Sequence, residues 1–453
     1  MSVPEVGVVV AGGGIAGLAA ALELEQHVSE VVVFDASDRP GGVMRTDHVD
    51  GFVVERGPNT FQLKAPLWSA LCFRGFEDAL IPALPASRRR YIWREGVLRA
   101  VPLSPAAFAT TGLLSLRGKL RLLAEPFVRG RDAGGESVDD FVRRRLGREA
   151  LEALVGPFLT GVYAGDETQL GAEAVFGTLV EYERRFGSIL VGGAASLLAR
   201  RGERGRPGTW SAPGGLGNFV RQLAGGLTEP PAHGARVVGI VRDGNAWHVE
   251  VESSGGTSAV RAARVVLALP APAAAHLLAG VDPRAAELLG GIHYAPVVGL
   301  PLGVPRSALA RPADGFGFLV PREEEASLLG CLFMSQLFPD RAPRDAELLH
   351  CMLGGGRWPG AIDEPDDVLQ DRACQDLDRA LGLSGEPKDL GVARWAAGIP
   401  QPGVDHVGRV AEIRARLSVH PGLALAGGYL DGVAVADAFA SGLRAAQDLA
   451  GPL

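Results

Sequence analysis

The run Val6–Ala11 is apolar and β-branched apart from Gly7 and its last residue, and it leads directly into Gly12-Gly13-Gly14-Ile15-Ala16-Gly17. Helix-forming Leu18-Ala19-Ala20-Ala21-Leu22-Glu23-Leu24 follows, then a second β-rich run, Val31-Val32-Val33-Phe34, closed by Asp35. Each part has a chemical use. The glycines allow a tight turn and the close approach of a pyrophosphate, and the helix start offers free N–H groups and the positive end of a dipole. An acid ending the second strand can accept hydrogen bonds from a ribose diol. The order strand, G-x-G-x-x-G, helix, strand, acid predicts a dinucleotide site.

Further glycine turns select the dinucleotide. Arg39-Pro40-Gly41-Gly42 comes just after the acid, and Glu55-Arg56-Gly57-Pro58-Asn59-Thr60-Phe61 soon after that. Near the other end, Leu423–Ala426 reads as a buried strand before Gly427-Gly428-Tyr429-Leu430-Asp431-Gly432-Val433-Ala434-Val435-Ala436-Asp437 and a helix containing Gly442. The R-x-G-G turn beside the second strand resembles the flavoproteins of the amine oxidase and phytoene desaturase superfamily. That resemblance implies FAD, with the late segment folded back onto the flavin.

These motifs need a framework. The chain has 453 residues, 62 of them Gly and 31 Pro, enough for two or three domains with sizeable cores. Lys and Arg number 45 against 52 Asp and Glu, a net charge of −7 that speaks against a nucleic-acid binder. Only three of the 45 cations are lysines, which is the mark of a GC-rich genome. Four cysteines without a C-x-x-C pair predict neither a disulfide scaffold nor a cysteine zinc module, and fit a reducing compartment. The scattered histidines give no metal site. No basic-then-apolar leader is present, so the expectation is a cytoplasmic protein.

The expected fold class is α/β. A Rossmann-like FAD-binding domain is built from both chain ends (1–80, 207–268 and 390–453). An inserted helical domain occupies 81–206 and an α/β substrate-binding domain 269–389. Ser137-Val138-Asp139-Asp140 is a capping box that opens a helix through Leu154. Arg200–Pro207 reads as a charged loop. Ala235–Ile240, Trp247–Val251 and Arg264–Leu269 read as strands, and strands dominate from Ala271 to Lys388. Residues 81–130 hold nine Lys/Arg against two Glu, a local +7. Joined to the apolar stretches Ala106–Leu116 and Ile189–Leu198, this predicts a peripheral attachment to an anionic membrane face.

Longer strings are more specific. Glu55–Phe61, Thr160-Gly161-Val162-Tyr163-Ala164-Gly165-Asp166, Gly315-Phe316-Gly317-Phe318-Leu319-Val320-Pro321, Phe338-Pro339-Asp340-Arg341-Ala342-Pro343, Met352-Leu353-Gly354-Gly355 and Ile399-Pro400-Gln401 span nearly the whole chain. In that order they resemble the protoporphyrinogen and coproporphyrinogen oxidases, the oxygen-dependent porphyrinogen oxidases of haem synthesis. The resemblance implies that Gly12, Gly13, Gly14, Ile15, Ala16 and Gly17 hold the FAD pyrophosphate, and Asp35 and Ala36 the adenosine ribose. Arg39, Gly42, Val43, Gly57, Pro58, Asn59, Thr60, Val237, Trp395, Val433, Ala434 and Val435 would line the rest of the FAD. Arg90, Asn59, Gly161, Phe316, Leu319 and Met352 would surround the substrate, Arg90 pairing with a propionate. The sequence departs from the pattern at Asp35 (usually Glu), Met44-Arg45, Phe333-Met334, Pro402-Gly403 and Gly428.

The implied reaction is six-electron oxidation of a porphyrinogen by O₂, giving peroxide. The partners it brings are the substrate, O₂, a ferrochelatase-type pathway protein and a second copy of the chain. No catalytic triad, metal set or carboxylate pair is visible, and none is needed where a flavin carries the redox step. Two other readings use the same residues: an amine oxidase or desaturase acting on another apolar substrate, and a flavin-binding haem-pathway protein without turnover.

Overall fold

The computed structural model describes residues 4–63, 65–131, 134–199 and 208–451. The charged loop expected at 200–207 lies outside these. Two sheets organise the rest. The first has seven strands. The strand Glu5–Ala11 lies between Val31–Asp35 and Gly256–Leu267, parallel to both, and Leu423–Leu425 adds in parallel to Gly256–Leu267. Their residues are Val- and Ala-rich without alternation, as expected for strands buried on both faces. The antiparallel strands Arg236–Asp243 and Ala246–Ser253 continue the sheet, and the short strand Ala232–His233 lies beside Val31–Asp35.

The helix Ile15–Leu24 packs against the C-terminal helix Val435–Ala450 at very close range. A Cβ on Gly442 would stand 2.0 Å from the Ala16 carbonyl oxygen, so only glycine fits there. The two ends of the chain therefore share one core, formed by Leu18, Ala19, Leu22, Phe439, Ala445 and Ala446 among others.

The second sheet has eight strands. The path runs Lys388–Asp389, Tyr294–Pro305, Ala346–Gly354, Leu328–Phe333, Gly317–Leu319, Arg90–Arg94, Val97–Ala100, with Ala393–Pro400 paired to Tyr294–Pro305. The helix Asp366–Leu381 covers one face through Leu369, Ala373, Leu377 and Ala380. Cys331 and Cys351 meet on that covered face, Sγ to Sγ 3.8 Å, both fully buried as thiols. Far apart in sequence, they are cross-strand partners in space.

Several expectations are corrected. Residues 90–100, expected in the helical domain, are strands of the second sheet, as is Ala393–Pro400, expected in the FAD domain. Residues 271–290, expected to be strand-rich, form the helices Ala271–Leu278 and Pro283–Gly290, which pack on the first sheet. The helix opened by Ser137 is capped as predicted, its hydroxyl accepting from the Asp140 N–H, but it ends at Arg145. Gly147 then turns the chain at φ 94°, and short helical segments lead into the helix Gly156–Tyr163.

Candidate active site

The glycine loop runs from the end of strand Glu5–Ala11 to the start of helix Ile15–Leu24. Gly12 adopts φ +105°, and a Cβ there would lie 2.4 Å from the Ala268 carbonyl oxygen; one on Gly17 would lie 1.8 Å from the Gly12 oxygen. Gly14 is different, since its Cβ direction meets nothing within 4 Å. No side chain caps the helix start at Ile15, Ala16 and Gly17. An open backbone cradle at an uncapped helix N-terminus fits a pyrophosphate.

Asp35 is 8% exposed. Its Oδ2 accepts the Gly13 N–H, and its Oδ1 accepts the N–H and hydroxyl of Ser37. The shorter acid thus ties the glycine loop to its own turn, leaving one acceptor direction on Oδ2. Ala36 is exposed beside it. The segment leading to Val237 runs alongside, with the Ala235 N–H on the Asp35 carbonyl at 2.9 Å. These residues fit the adenosine end of FAD.

The remaining turns close around the same cradle. A Cβ on Gly42 would stand 3.4 Å from the Gly14 Cα, and one on Gly57 only 2.0 Å from the Val43 carbonyl oxygen. Arg39 donates to the carbonyls of Pro40 and Gly42 at 3.4 and 3.3 Å. Trp395 Nε1 donates to the Arg56 carbonyl at 2.6 Å, which ties the second sheet to the loop carrying Gly57, Pro58, Asn59 and Thr60. Asn59 is 8% exposed and its Oδ1 has no partner. Helix Val435–Ala450 also starts without a side-chain cap, from Val433 and Ala434, and Val433 packs against the cluster that includes Tyr163.

The expected substrate residues gather on the uncovered face of the second sheet. Leu319 and Met352 flank Gly330 in register, and the Leu319 side chain lies over the glycine, its Cδ2 3.0 Å from where a Cβ would stand. A Cβ on Gly161 would meet Leu319 Cδ2 at 2.5 Å, and Met352 packs with Ala164, Leu329, Val297 and Ile399. The Gly161–Asp166 motif therefore lies directly on this face. Arg90 opens the strand parallel to Gly317–Leu319. Its guanidinium lies 4.4 Å from the centre of the Phe316 ring, with the Thr209 hydroxyl at 3.5 Å. Although Arg90 keeps exposed surface, burial of the head group pulls its pKa below the ordinary arginine value, and it stays a cation. No carboxylate among the described residues pairs with it. Arg89, its neighbour, is bound to Asp314 on the outside.

Three residues here escape sequence reading. Glu55, 2% exposed, accepts from the Thr46 hydroxyl at 2.6 Å and the Leu216 N–H at 2.8 Å, with Arg341 at 4.0 Å. Burial raises its pKa to about 7, against the pull of these partners. His350, two residues before Met352 on the same strand, is 3% exposed, and burial followed by the charge of Arg56 lowers its pKa to about 4. Thr209 stands nearest Arg90. Only Glu55 had a signal, an acid inside a glycine-rich string. Among the described residues no His, Cys, Asp and Glu group is arranged to hold a metal ion.

Comparison with known proteins shows the family. A sequence model of a family described as flavin containing amine oxidoreductase matches residues 15–450. The chain is 34% identical to the chloroplastic protoporphyrinogen oxidase of Oryza sativa, covering 94% of this chain and 85% of the relative. It is 28% identical to the coproporphyrinogen III oxidase of Bacillus subtilis, covering 97% of each. A solved structure from Exiguobacterium sp. 255-15, provisionally assigned as a protoporphyrinogen oxidase, superposes with a TM-score of 0.80 at 26% identity over 99% of both chains.

Proposed function

Because this chain belongs to the flavin-containing amine oxidoreductase family and is an FAD-dependent oxidoreductase, we propose that its substrate is a porphyrinogen, oxidised to the porphyrin in haem biosynthesis. The observation that carries this reading is Arg90, a cation with no carboxylate partner among the described residues, stacked on Phe316 at one end of a row of apolar side chains that runs to Met352. From the Arg90 strand to the Met352 strand is three inter-strand steps, roughly 14 Å at about 4.8 Å each. That length suits a flat apolar macrocycle with carboxylates at its rim. An amine substrate would set a cation against Arg90, and the named wall residues include no acid to receive it. The relatives' names point to the same substrate class.

Bound FAD supplies a two-electron acceptor whose reduced form is reoxidised by O₂ to peroxide. Three such oxidations remove six electrons. Over the three, three meso carbons would each give up a hydride, and the balancing protons would leave two pyrrole N–H groups and the fourth meso carbon. The residues of this chain provide position. Arg90 forms a forked pair with a propionate and fixes the register of the ring. Leu319, Met352 and Phe316 supply apolar contact and keep water from the reacting edge, while Gly161 lets its helix rest on Leu319 and hold that side chain in place. Holding the reacting carbon in line accounts for a large share of such a barrier.

The test is porphyrin fluorescence from protoporphyrinogen and coproporphyrinogen, side by side in air, with a polyamine control. Porphyrin formation above the spontaneous rate supports the reading. Peroxide from the polyamine without porphyrin from either tetrapyrrole contradicts it.

A further inference from the structure

The strand Ala393–Pro400 reaches both halves of the active site. Trp395 Nε1 ties it to the Arg56 carbonyl at 2.6 Å, beside the loop that carries Gly57–Thr60. Gln401, just past its far end, ties it to the helix Gly156–Tyr163. One amide makes this tie. Gln401 Nε2 donates to the Tyr163 carbonyl at 2.8 Å and to the Ile399 carbonyl at 2.9 Å, so both of its hydrogens are used. The Gln401 backbone is itself held, its N–H on the His293 carbonyl at 2.8 Å.

The helix end needs such a partner. The last carbonyls of a helix find no donor within it, and this helix stops where Ala164 takes φ 47°. A left-handed conformation is unfavourable for alanine and persists only where the surroundings impose it. Here they do. The Ala164 carbonyl accepts the Gly356 N–H at 2.7 Å, from the turn that follows the Met352 strand. A Cβ on Gly165 would stand 2.3 Å from Gln401 Oε1, and one on Gly355 2.3 Å from the Ala164 oxygen. Glycines thus let both clamps close on the turn. Farther along, the Gly171 N–H reaches the Pro402 carbonyl at 2.8 Å.

This turn controls the substrate face. In the last turn of the helix Gly161 rests on Leu319, and Ala164 packs with Met352 and Ile399. A shift of the helix end therefore moves Gly161 and Leu319 together, against a strand that Trp395 fixes to the cofactor loop.

We infer that Gln401 is a positioning residue for flavin reduction. Its amide sets the height of the Gly161 helix over the sheet, and through that helix the distance from the reacting carbon to the flavin. The kinetic part rests on the porphyrinogen reading, whereas the clamp itself does not. A misplacement of about 1 Å costs far more in rate than in affinity, which Arg90 and the apolar side chains supply.

The test is anaerobic reduction of the flavin-loaded full chain by protoporphyrinogen, with amide hydrogen exchange over residues 156–166 measured separately without substrate. Gln401→Glu keeps the shape and removes both donors at neutral pH. It lowers the limiting rate of flavin bleaching by roughly tenfold or more, with the half-saturating concentration within about twofold of wild type and flavin content unchanged. Exchange over residues 156–166 becomes faster. Gln401→Asn, which keeps the donors one methylene short, falls between. Gly165→Ala pushes the amide away and lowers the rate in the wild-type background, but adds nothing to Gln401→Ala. The inference is overturned by an unchanged limiting rate in Gln401→Glu, by a loss confined to half-saturation or flavin content, or by additive losses in the double variant. Exchange decides the clamp even where no porphyrinogen reduces the flavin, and unchanged exchange in Gln401→Glu equally overturns it.

Discussion

The guanidinium of Arg90 stacks on the ring of Phe316 at 4.4 Å, and the Phe316 N–H donates to the carbonyl of Arg89 at 2.7 Å. One backbone bond thus joins the start of the Arg90 strand to the Gly-Phe-Gly-Phe-Leu string and points the two neighbouring arginines apart. Arg89 turns outward to Asp314, while Arg90 turns to the apolar face.

Arg90→Ala is expected to raise KM, losing on the order of 1–3 kcal/mol in kcat/KM, with flavin content and Tm near wild type. Arg90→Lys recovers only part, because an ammonium lacks the planar fork. Arg89→Ala, which removes an exposed pair, leaves steady-state kinetics unchanged. A larger loss from Arg89→Ala than from Arg90→Ala would contradict the assignment.

The two kinds of loop glycine separate cofactor binding from folding. Gly14→Val places its side chain in the open cradle, so the protein should fold and purify colourless. Gly17→Ala drives a Cβ into the Gly12 carbonyl and should lower expression and Tm instead. Asp35→Ala releases the Gly13 N–H and should weaken FAD by roughly 1–3 kcal/mol, measured as flavin release on dilution. A fully yellow Gly14→Val protein would refute the cradle.

Gly161→Ala should displace the Leu319 side chain, because its methyl meets Leu319 Cδ2. Turnover falls while flavin absorbance is kept, and adding Leu319→Ala restores part of it. Steady-state rates of the two single variants and the pair measure the coupling. Strictly additive losses would show that the two residues do not pack on each other.

Glu55 and His350 should give opposite pH dependences of stability. Glu55 rises from its ordinary 4.5 to about 7 on folding, so between these values the native state holds more protons and stability falls as pH rises. His350 drops from 6.5 to about 4, so the unfolded state holds more protons there and stability rises with pH. Each limb amounts to about 3 kcal/mol and the two largely cancel in their overlap. In Tm scans across mildly acidic pH, Glu55→Gln should leave the rising limb and His350→Gln the falling one. Variants that both follow the wild-type slope would contradict this.

The cofactor site was legible because its requirements are local. The Gly12–Gly17 turn, Asp35 and the Arg39–Gly42 turn lie close together in sequence, and Gly12, Gly17 and Gly41 answer to backbone contacts nearby. The substrate face was legible only through family strings, since it depends on distant pairing. The Arg90 strand lies parallel to Gly317–Leu319 across more than two hundred residues, and nothing in the local pattern of residues 90–100 separates them from the helical domain. The Leu116–Leu123 helix shows a different limit. Sequence reading saw only the apolar stretch Ala106–Leu116 there, and a helical period alone would not say which face turns inward. Arg121 donates to the Arg144 and Arg145 carbonyls and Lys119 to that of Ala109, which leaves Leu116, Leu120 and Leu123 exposed.

The central claim is that a porphyrinogen gives its electrons to the flavin held by this chain. Anaerobic mixing of the yellow holoprotein with protoporphyrinogen or coproporphyrinogen tests it most directly, followed by admission of air. Without O₂ the flavin absorbance should bleach rapidly, and the oxidised spectrum should return with porphyrin and peroxide when air enters. Arg90→Ala should bleach more slowly at equal substrate. Flavin that stays oxidised with both tetrapyrroles, in protein that a chemical reductant readily bleaches, would contradict it.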